Sequence, residues 1–404
     1  MKVLIASTKE LCYFSGSFFL DRIQEELERE NVQVVRLDFD ENEADYSLLE
    51  EQLGKTYDAV LDVNSRLPYL IDDHGKRILN EIDAPFINYI LDHPLYHHPG
   101  LVFPIDRYYT LGIDRFHVDY MKKHYPYIKD AALLPLAGTK AFDALPFEER
   151  EKGILFTGTY LKDEELDEKI MALRNQINDA TYQLALDLWD AWRDTTQPIE
   201  DCLMLLLKKY SGAKNEKEVD AYIQDFYEMS GFAELLNHMF LVDQKKRNMK
   251  RELVLEQLSN TAYPLTVVGE GWENSAIASN ANIRFLPARS MAASLQLMGR
   301  YQFVLDINPM FPCGLHDRVT SAWANGAVCI TDMSSEFDKE IRDGKNVIFY
   351  SEHRMGQLKE RLEHMTEDDL KQIAQSGVEL ADRNYSWHTH GQELIRFIEQ
   401  INTK

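Results

Sequence analysis

The sequence is short of positive charge: 44 lysines and arginines stand against 67 aspartates and glutamates, a formal net charge of −23 over 404 residues. A chain that binds nucleic acid needs a basic footprint to displace phosphate counterions, so nucleic acid is not an expected partner. Anionic membranes are disfavoured less strongly, because a local patch can hide in a global sum. Lys245, Lys246, Arg247, Lys250 and Arg251 form one such patch. It reads as a solvated helix face, with peripheral membrane contact as the other reading. Cysteine is also scarce. Cys12, Cys202, Cys313 and Cys329 lie far apart with no C-x-x-C pair, which excludes a disulfide framework and the usual zinc spacing. No apolar run reaches the length of about 18 residues that a membrane helix needs, and no secretory signal is read, so the expected compartment is the cytoplasm. The phosphate-binding G-x-x-x-x-G-K-[ST], the zinc-binding H-E-x-x-H and the nucleophile elbow G-x-S-x-G are missing too.

What the chain does contain is alternation. Its length exceeds one typical domain. "MKVLIAS", "VQVVRLDF", "YDAVLDVN", "APFINYIL" and "DAALLPLAG" are short apolar runs separated by helix-like segments such as "FFLDRIQEELEREN". Strands alternating with helices predict a parallel sheet covered on both faces, here over residues 1–150. From Asp163 to Lys250 the pattern becomes helical throughout, with Trp189, Trp192, Tyr210, Tyr222, Phe226 and Tyr227 at helical spacings. These aromatics read as core of a helical insertion, 160–255, rather than as a cofactor box. Alternation restarts with "PLTVVGEG", "IRFLPA", "YQFVLDINP", "AVCITD" and "NVIFYS", predicting a second sheet domain over 256–385. The tail, 386–404 with "GQELIRFIEQINTK", is an amphipathic helix. The expected fold is α/β: two Rossmann-like, doubly wound parallel-sheet domains with a central helical insertion.

Two such halves leave a cleft, and open parallel sheets bind ligands beyond the carboxyl ends of their strands. After "TVV", Gly269 and Gly271 could let backbone amides approach an anion, or could form an ordinary tight turn. In "FPCGLHDRVTSAWANGAVCIT" a helix starts near Leu315 or His316, and its amides and dipole favour a diphosphate. His316 and Arg318 could bind phosphate there, and Asp317 could accept hydrogen bonds from sugar hydroxyls. Otherwise Asp317 complements the dipole beside a solvated His and Arg. Ser321, Ala322 and Ala324 allow close packing on the sheet, and Gly326 suits a left-handed helix end. In the first half, Asp92 and His93 follow the strand "FINYIL". Asp92 is the candidate general base, or it orients His93 in that role. Imidazoles at 93, 97 and 98 suggest a metal site, but Pro94 and Pro99 bracket them. Asp114, Arg115 and His117 line the cleft or cap a helix.

The stretch with Asn308, Arg318, Ala322, Ala324 and Gly326 resembles the donor-binding helix of two-Rossmann (GT-B) glycosyltransferases, and most of all the branch containing CgeB-like spore-maturation proteins. "GILFTGTY", "YSWHTHGQEL", "NYILDHPLYH" and "GIDRFHVDYMKKHYP" resemble further segments of that group, in the same order along the chain. The resemblance implies an enzyme that moves a sugar from a nucleotide-diphosphate sugar to a hydroxyl of a glycan or protein acceptor, without a metal or other cofactor. Gly269, Gly271, Asn308, His316, Asp317 and Arg318 would hold the donor. Glu10, Tyr13, Ser15 and Gly16 would line the acceptor side, although a helix cap at Ser15 explains that loop as well. The paired glutamates of many retaining members are replaced by Cys313 and Ser321. That favours an inverting displacement and moves ribose recognition to Asp317. A nucleotide-sugar epimerase on the same scaffold, and a catalytically degenerate binding protein, are the alternatives.

Overall fold

The computed structural model describes residues 1–9, 15–40, 47–227, 231–308, 310–334 and 336–403. The first sheet holds β1 (Lys2–Lys9), β2 (Gln33–Asp40), β3 (Ala59–Val63), β4 (Phe86–Ile90), β5 (Tyr108–Gly112) and β6 (Ile128–Leu133), in the order β2-β1-β3-β4-β5-β6. The second holds β7 (Glu151–Thr157), β8 (Leu265–Val268), β9 (Ile283–Leu286), β10 (Tyr301–Leu305), β11 (Val328–Thr331) and β12 (Ile348–Phe349), in the order β12-β11-β10-β7-β8-β9. Every pairing is parallel. Both sheets are therefore the Rossmann-like kind the alternation predicts. Their inner strands are buried along their length, which is why they read as mainly apolar runs.

Strand β5 is not among the runs the sequence announces. "YYTLG" carries polar letters and falls in what reads as a loop-to-helix passage, yet β5 is fully buried. Its polar groups find partners inside: the Tyr108 hydroxyl donates to the Gly100 carbonyl at 2.5 Å and accepts from Asn88 at 3.1 Å. Buried hydroxyls with partners cost little.

Residues 1–158, 257–269 and 281–404 form one compact unit containing both sheets, and 159–256 with 270–280 form a second. The second sheet thus takes β7 from ahead of the helical segment. The final helix, Trp387–Thr403, runs back to the first sheet, where Leu394, Phe397, Ile398 and Ile401 join Val3, Ile5 and Leu61 in one core.

The stretch between the sheets is laid on the helix Asp317–Ala324. Gly138 passes so close that a Cβ there would lie 2.2 Å from the Thr320 carbonyl oxygen. The Thr139 amide donates to Ser321 Oγ at 3.3 Å, and Asn325 exchanges bonds with Thr139 and Ala141 at 2.7 Å each. The small side chains of this helix therefore make room for a neighbouring chain segment as well as for the sheet. Gly138→Ala is expected to lower stability by about 1–3 kcal/mol in urea unfolding, the usual cost of overpacking. Gly356→Ala, with open space at its Cβ, is the control expected to cost nothing.

In the second unit, helices Asp163–Gln176, Asp179–Trp192, Ile199–Ser211, Glu216–Tyr227 and Phe232–His238 lead into Phe240–Leu258. Trp192 is buried as expected, whereas Tyr210 is exposed and bonded to Asp187. Of Phe226 and Tyr227 only the backbone is described. The basic cluster is not the solvated face that charge patterning predicts. Lys246 donates to the carbonyls of Trp192 and Thr195 at 2.9 and 2.7 Å and lies 3.9 Å over the Trp192 ring. Lys245 pairs with Asp167, Arg247 with Asp243, and Arg251 donates to the Thr159 carbonyl. Lys245 and Lys246 tie this helix to its neighbours, while Arg247 pairs within it. Among the described residues no helix is long and apolar enough to cross a membrane.

Candidate active site

Strands β3 and β4 end side by side. Past β3, Asn64 takes a left-handed φ of +50°, a conformation asparagine tolerates better than most residues. From there its Oδ1 accepts the Leu91 amide at 2.9 Å, and its Nδ2 donates to Asp92 Oδ2 at 3.3 Å. His97 Nε2 stands 3.6 Å from the same oxygen. Asp92 itself keeps 38% of its side chain exposed, so its carboxylate is both held and reachable.

His93 is not. It is 1% exposed, its Nδ1 accepts the Leu95 amide at 3.0 Å, and its ring packs 4.5 Å from that of His117 and 5.5 Å from that of Tyr120. It caps the short turn Pro94–His97, which corrects its reading as a base: a buried ring whose Nδ1 is committed to a backbone amide is poorly placed to take a proton from substrate. His98 turns elsewhere, its Nδ1 lying 3.2 Å from the Tyr125 hydroxyl. The three imidazoles therefore diverge. Among the described residues no group of three His, Cys, Asp or Glu side chains is placed to hold a metal ion.

Asp114 joins the two halves. Its Oδ1 accepts the amides of Phe116 and His117 at 2.7 and 3.1 Å, capping the helix Arg115–His124. Its Oδ2 accepts the Cys313 amide at 2.7 Å, and Arg115 N–H donates to the Cys313 carbonyl at 3.1 Å. His117 Nε2 donates to the Met310 carbonyl at 2.8 Å. The loop before the Asp317–Ala324 helix is thereby sewn to the end of β5. Burial pushes the Asp114 carboxyl up to about 6, against the pull of those three N–H groups. The sequence offers Asp114 as a cleft residue or a helix cap; its second partner, the Cys313 amide nearly two hundred residues away, leaves no local signal.

On the second sheet, Asp306 ends β10 fully buried. Arg318 Nη1 donates to its Oδ1 at 2.8 Å, and the Thr331 hydroxyl donates to its Oδ2 at 2.8 Å. Arg318 also donates from Nε to Thr157 Oγ1 at 3.2 Å and from Nη2 to the Thr157 carbonyl at 2.8 Å. The sequence offers Arg318 as a phosphate ligand. In the structure its side chain is 10% exposed, its charge is met by Asp306, and it fastens β7 to β10. Asp306 was not among the expected site residues, because a carboxylate ending an apolar run looks like any turn.

His316 caps the same helix. Its Nδ1 accepts the Arg318 amide at 3.2 Å and lies 3.2 Å from Asp317 Oδ1 and 3.5 Å from Asp306 Oδ1. A nitrogen that accepts an N–H carries no proton, so the neutral ring bears its hydrogen on Nε2. Asp317, 21% exposed, has its carboxyl pushed up to about 6, first by burial and then by Asp306 and Asp92, with Arg318 opposing.

A pH dependence follows. The folded carboxyl of Asp317 holds its proton to about 6, above the ordinary 3.8. Between these values the unfolded chain releases the proton and the folded chain does not, so stability declines as pH rises through this window. Asp317→Asn is expected to match wild type near pH 3.5 in chemical unfolding and to exceed it at pH 7, by at most about 3 kcal/mol.

The remaining expected residues are dispersed in role. Asn308 donates its backbone N–H to Asp332 at 2.8 Å and exchanges two bonds of 2.9 Å with Phe311, so it shapes the loop. The Gly269 amide donates to the Leu286 carbonyl at 3.1 Å. It therefore belongs to the sheet and does not face an anion. Gly271 has φ +81° and lies in the second compact unit, where a Cβ would meet the Tyr160 carbonyl oxygen at 2.0 Å. Ser15 and Gly16 open the helix Ser15–Arg29. Glu10, Cys12 and Tyr13 lie outside the described residues. Ser321 is buried, and its Oγ accepts the Thr139 amide at 3.3 Å.

The site thus offers one reachable carboxylate opposite a helix N-terminus with an imidazole at its cap. Residues 247–396 match the family described as glycosyl transferase-like. Sucrose-phosphate synthase from Thermosynechococcus elongatus superposes with a TM-score of 0.57 at 8% identity, over 100% of both chains. HepE of Anabaena, solved with UDP and glucose, gives 0.53 at 9% identity over 99% of this chain and 100% of its own. An alpha-glucosyltransferase solved with UDP-glucose and DNA containing an abasic site gives 0.53 at 10% identity over 99% of each chain. At such identities the likeness is one of fold, and that fold is the GT-B arrangement of two Rossmann-like domains. No curated protein matches the chain.

Proposed function

We propose that the protein is a glycosyltransferase that moves a sugar from a nucleoside-diphosphate sugar, UDP-linked in the first instance, to an acceptor hydroxyl with Asp92 as general base. The observation that carries this reading is the tie between the carboxyl end of the first sheet, where Asp92 follows β4, and the loop ahead of the Asp317–Ala324 helix, made by Asp114 at the end of β5 through the Cys313 amide. A diphosphate leaving group at that helix start would meet a dipole that favours anions and the Nε2–H of His316. An acceptor hydroxyl beside Asp92 would lose its proton as it attacks the anomeric carbon from the opposite side. Asn64 and His97 hold the carboxylate in place. Asp317 is the candidate for the ribose hydroxyls. One carboxylate base, with Cys313 and Ser321 standing where many retaining relatives carry glutamates, favours inversion. The helix start and His316 supply the charge stabilisation a metal would otherwise give.

Two solved structures sharing the fold hold UDP or UDP-glucose, one of them with DNA. The net charge of −23 argues for a glycan or protein acceptor here instead of DNA. Among glycosyltransferases, the terminal "YSWHTHGQEL" favours the CgeB-like branch.

The test is a thermal-shift panel of UDP, GDP, dTDP and their sugars, followed by detection of released nucleotide. A ligand bound only by the native state must raise its melting temperature. If none of the panel does so and no nucleotide is released, the reading fails. An intact nucleotide carrying an altered sugar would mark epimerisation instead.

A further inference from the structure

A cavity of about 410 Å³ opens where residues 145–150 pass the far end of the Asp317–Ala324 helix and the side of the helix Glu367–Asn384. Arg150 lines it and is 8% exposed. Its Nε donates to the Leu145 carbonyl at 2.8 Å and its Nη1 to the Gly326 carbonyl at 2.7 Å. Among the described residues no carboxylate lies within 4 Å of it. A buried charge is normally paired, because its desolvation is otherwise uncompensated. Two carbonyl dipoles answer part of this charge and occupy two of the five guanidinium N–H groups. Burial pulls the Arg150 pKa down, with Glu148 opposing from a distance. Glu148 also lines the cavity, but it is exposed and paired with Lys371 at 3.4 Å, in a geometry that solvent screens.

Lys371 is the second cation lining the cavity, and Leu145, Pro146 and Val378 supply apolar wall. A guanidinium fork fits a tetrahedral oxyanion, and an ammonium adds charge from the rim. We propose that this cavity binds the phosphoryl group of a small molecule, held by Arg150 from within and Lys371 at the mouth. The volume admits the carbon part of a phosphate monoester as well as the phosphoryl group. The site is separate from the Asp92 cleft and does not depend on the glycosyl-transfer reading.

The test is melting temperature against inorganic phosphate and against glycerol phosphate, in wild type and in the variant Lys371→Glu, Gln375→Glu. Both changes are at exposed rim positions and leave Arg150 in place. Expected is a saturable rise of several degrees in wild type, lost in the charge-reversed variant, and persisting when UDP is present in excess. A larger rise with the ester assigns the site to a phosphorylated metabolite, and an equal rise assigns it to inorganic phosphate; either upholds the proposal. No saturable rise, a rise unchanged in the variant, or a rise abolished by UDP overturns it, the last by placing phosphate in the cleft.

Discussion

Asp92→Asn is expected to slow sugar transfer by about 10²–10⁴-fold while leaving UDP affinity within about twofold of wild type. Asparagine matches the carboxylate in shape and can still bond Asn64, so the turn after β4 survives. What it cannot do is accept the acceptor's proton. The donor's diphosphate sits across the cleft in this scheme, so the substitution acts on the chemical step and spares binding. Assay at saturating donor, with UDP titrated separately, separates the two effects. A parallel change, His97→Ala, is expected to cost less, since His97 stands 3.6 Å from the carboxylate and only steadies it. Equal losses in rate and in UDP affinity would mean that Asp92 organises the cleft and is not its base.

Arg318→Leu is expected to lower the free energy of unfolding by about 3–5 kcal/mol, because it strands the fully buried Asp306 without its partner. The same change releases Thr157 from two hydrogen bonds, loosening β7 from β10. Adding Asp306→Asn is expected to recover most of the loss, since the pair then leaves no isolated charge. Urea unfolding of the single and double variants measures both terms. Should Arg318→Leu fold with wild-type stability and lose only nucleotide binding, Arg318 is the phosphate ligand the sequence suggests, and its bonds to Asp306 and Thr157 carry little.

Where burial follows the periodicity of apolar letters, the sequence is a good guide. The runs "VLIA", "FINYI" and "FVL" announce strands because both of their faces are covered, and the helix beginning at His316 and ending at Gly326 is announced by its cap, its small residues and a left-handed glycine at φ +65°. The place of Asp92 just past β4 follows from the same logic, as the polar residue after a strand. The failures share a cause. His93 and Arg318 are polar letters at the right places, but their neighbours in space claim them: a backbone amide for one, a buried aspartate for the other. Single-chain reading sees the side chain and misses the partner that spends it. The basic cluster at 245–251 fails likewise, since its carbonyl and carboxylate partners lie many residues upstream. Asp306, Arg150 and the second role of Asp114 are missed for the converse reason. Each does its work through a contact more than a hundred residues away or through burial that its own neighbours do not foretell.

The most direct test of the cleft is a structure determined with UDP bound. The expected result is a diphosphate at the first turn of the Asp317–Ala324 helix, within hydrogen-bonding distance of His316, with Asp92 facing the open side. A nucleotide bound elsewhere, leaving His316 and Asp92 without contact to it or to the space beside its terminal phosphate, would contradict the assignment.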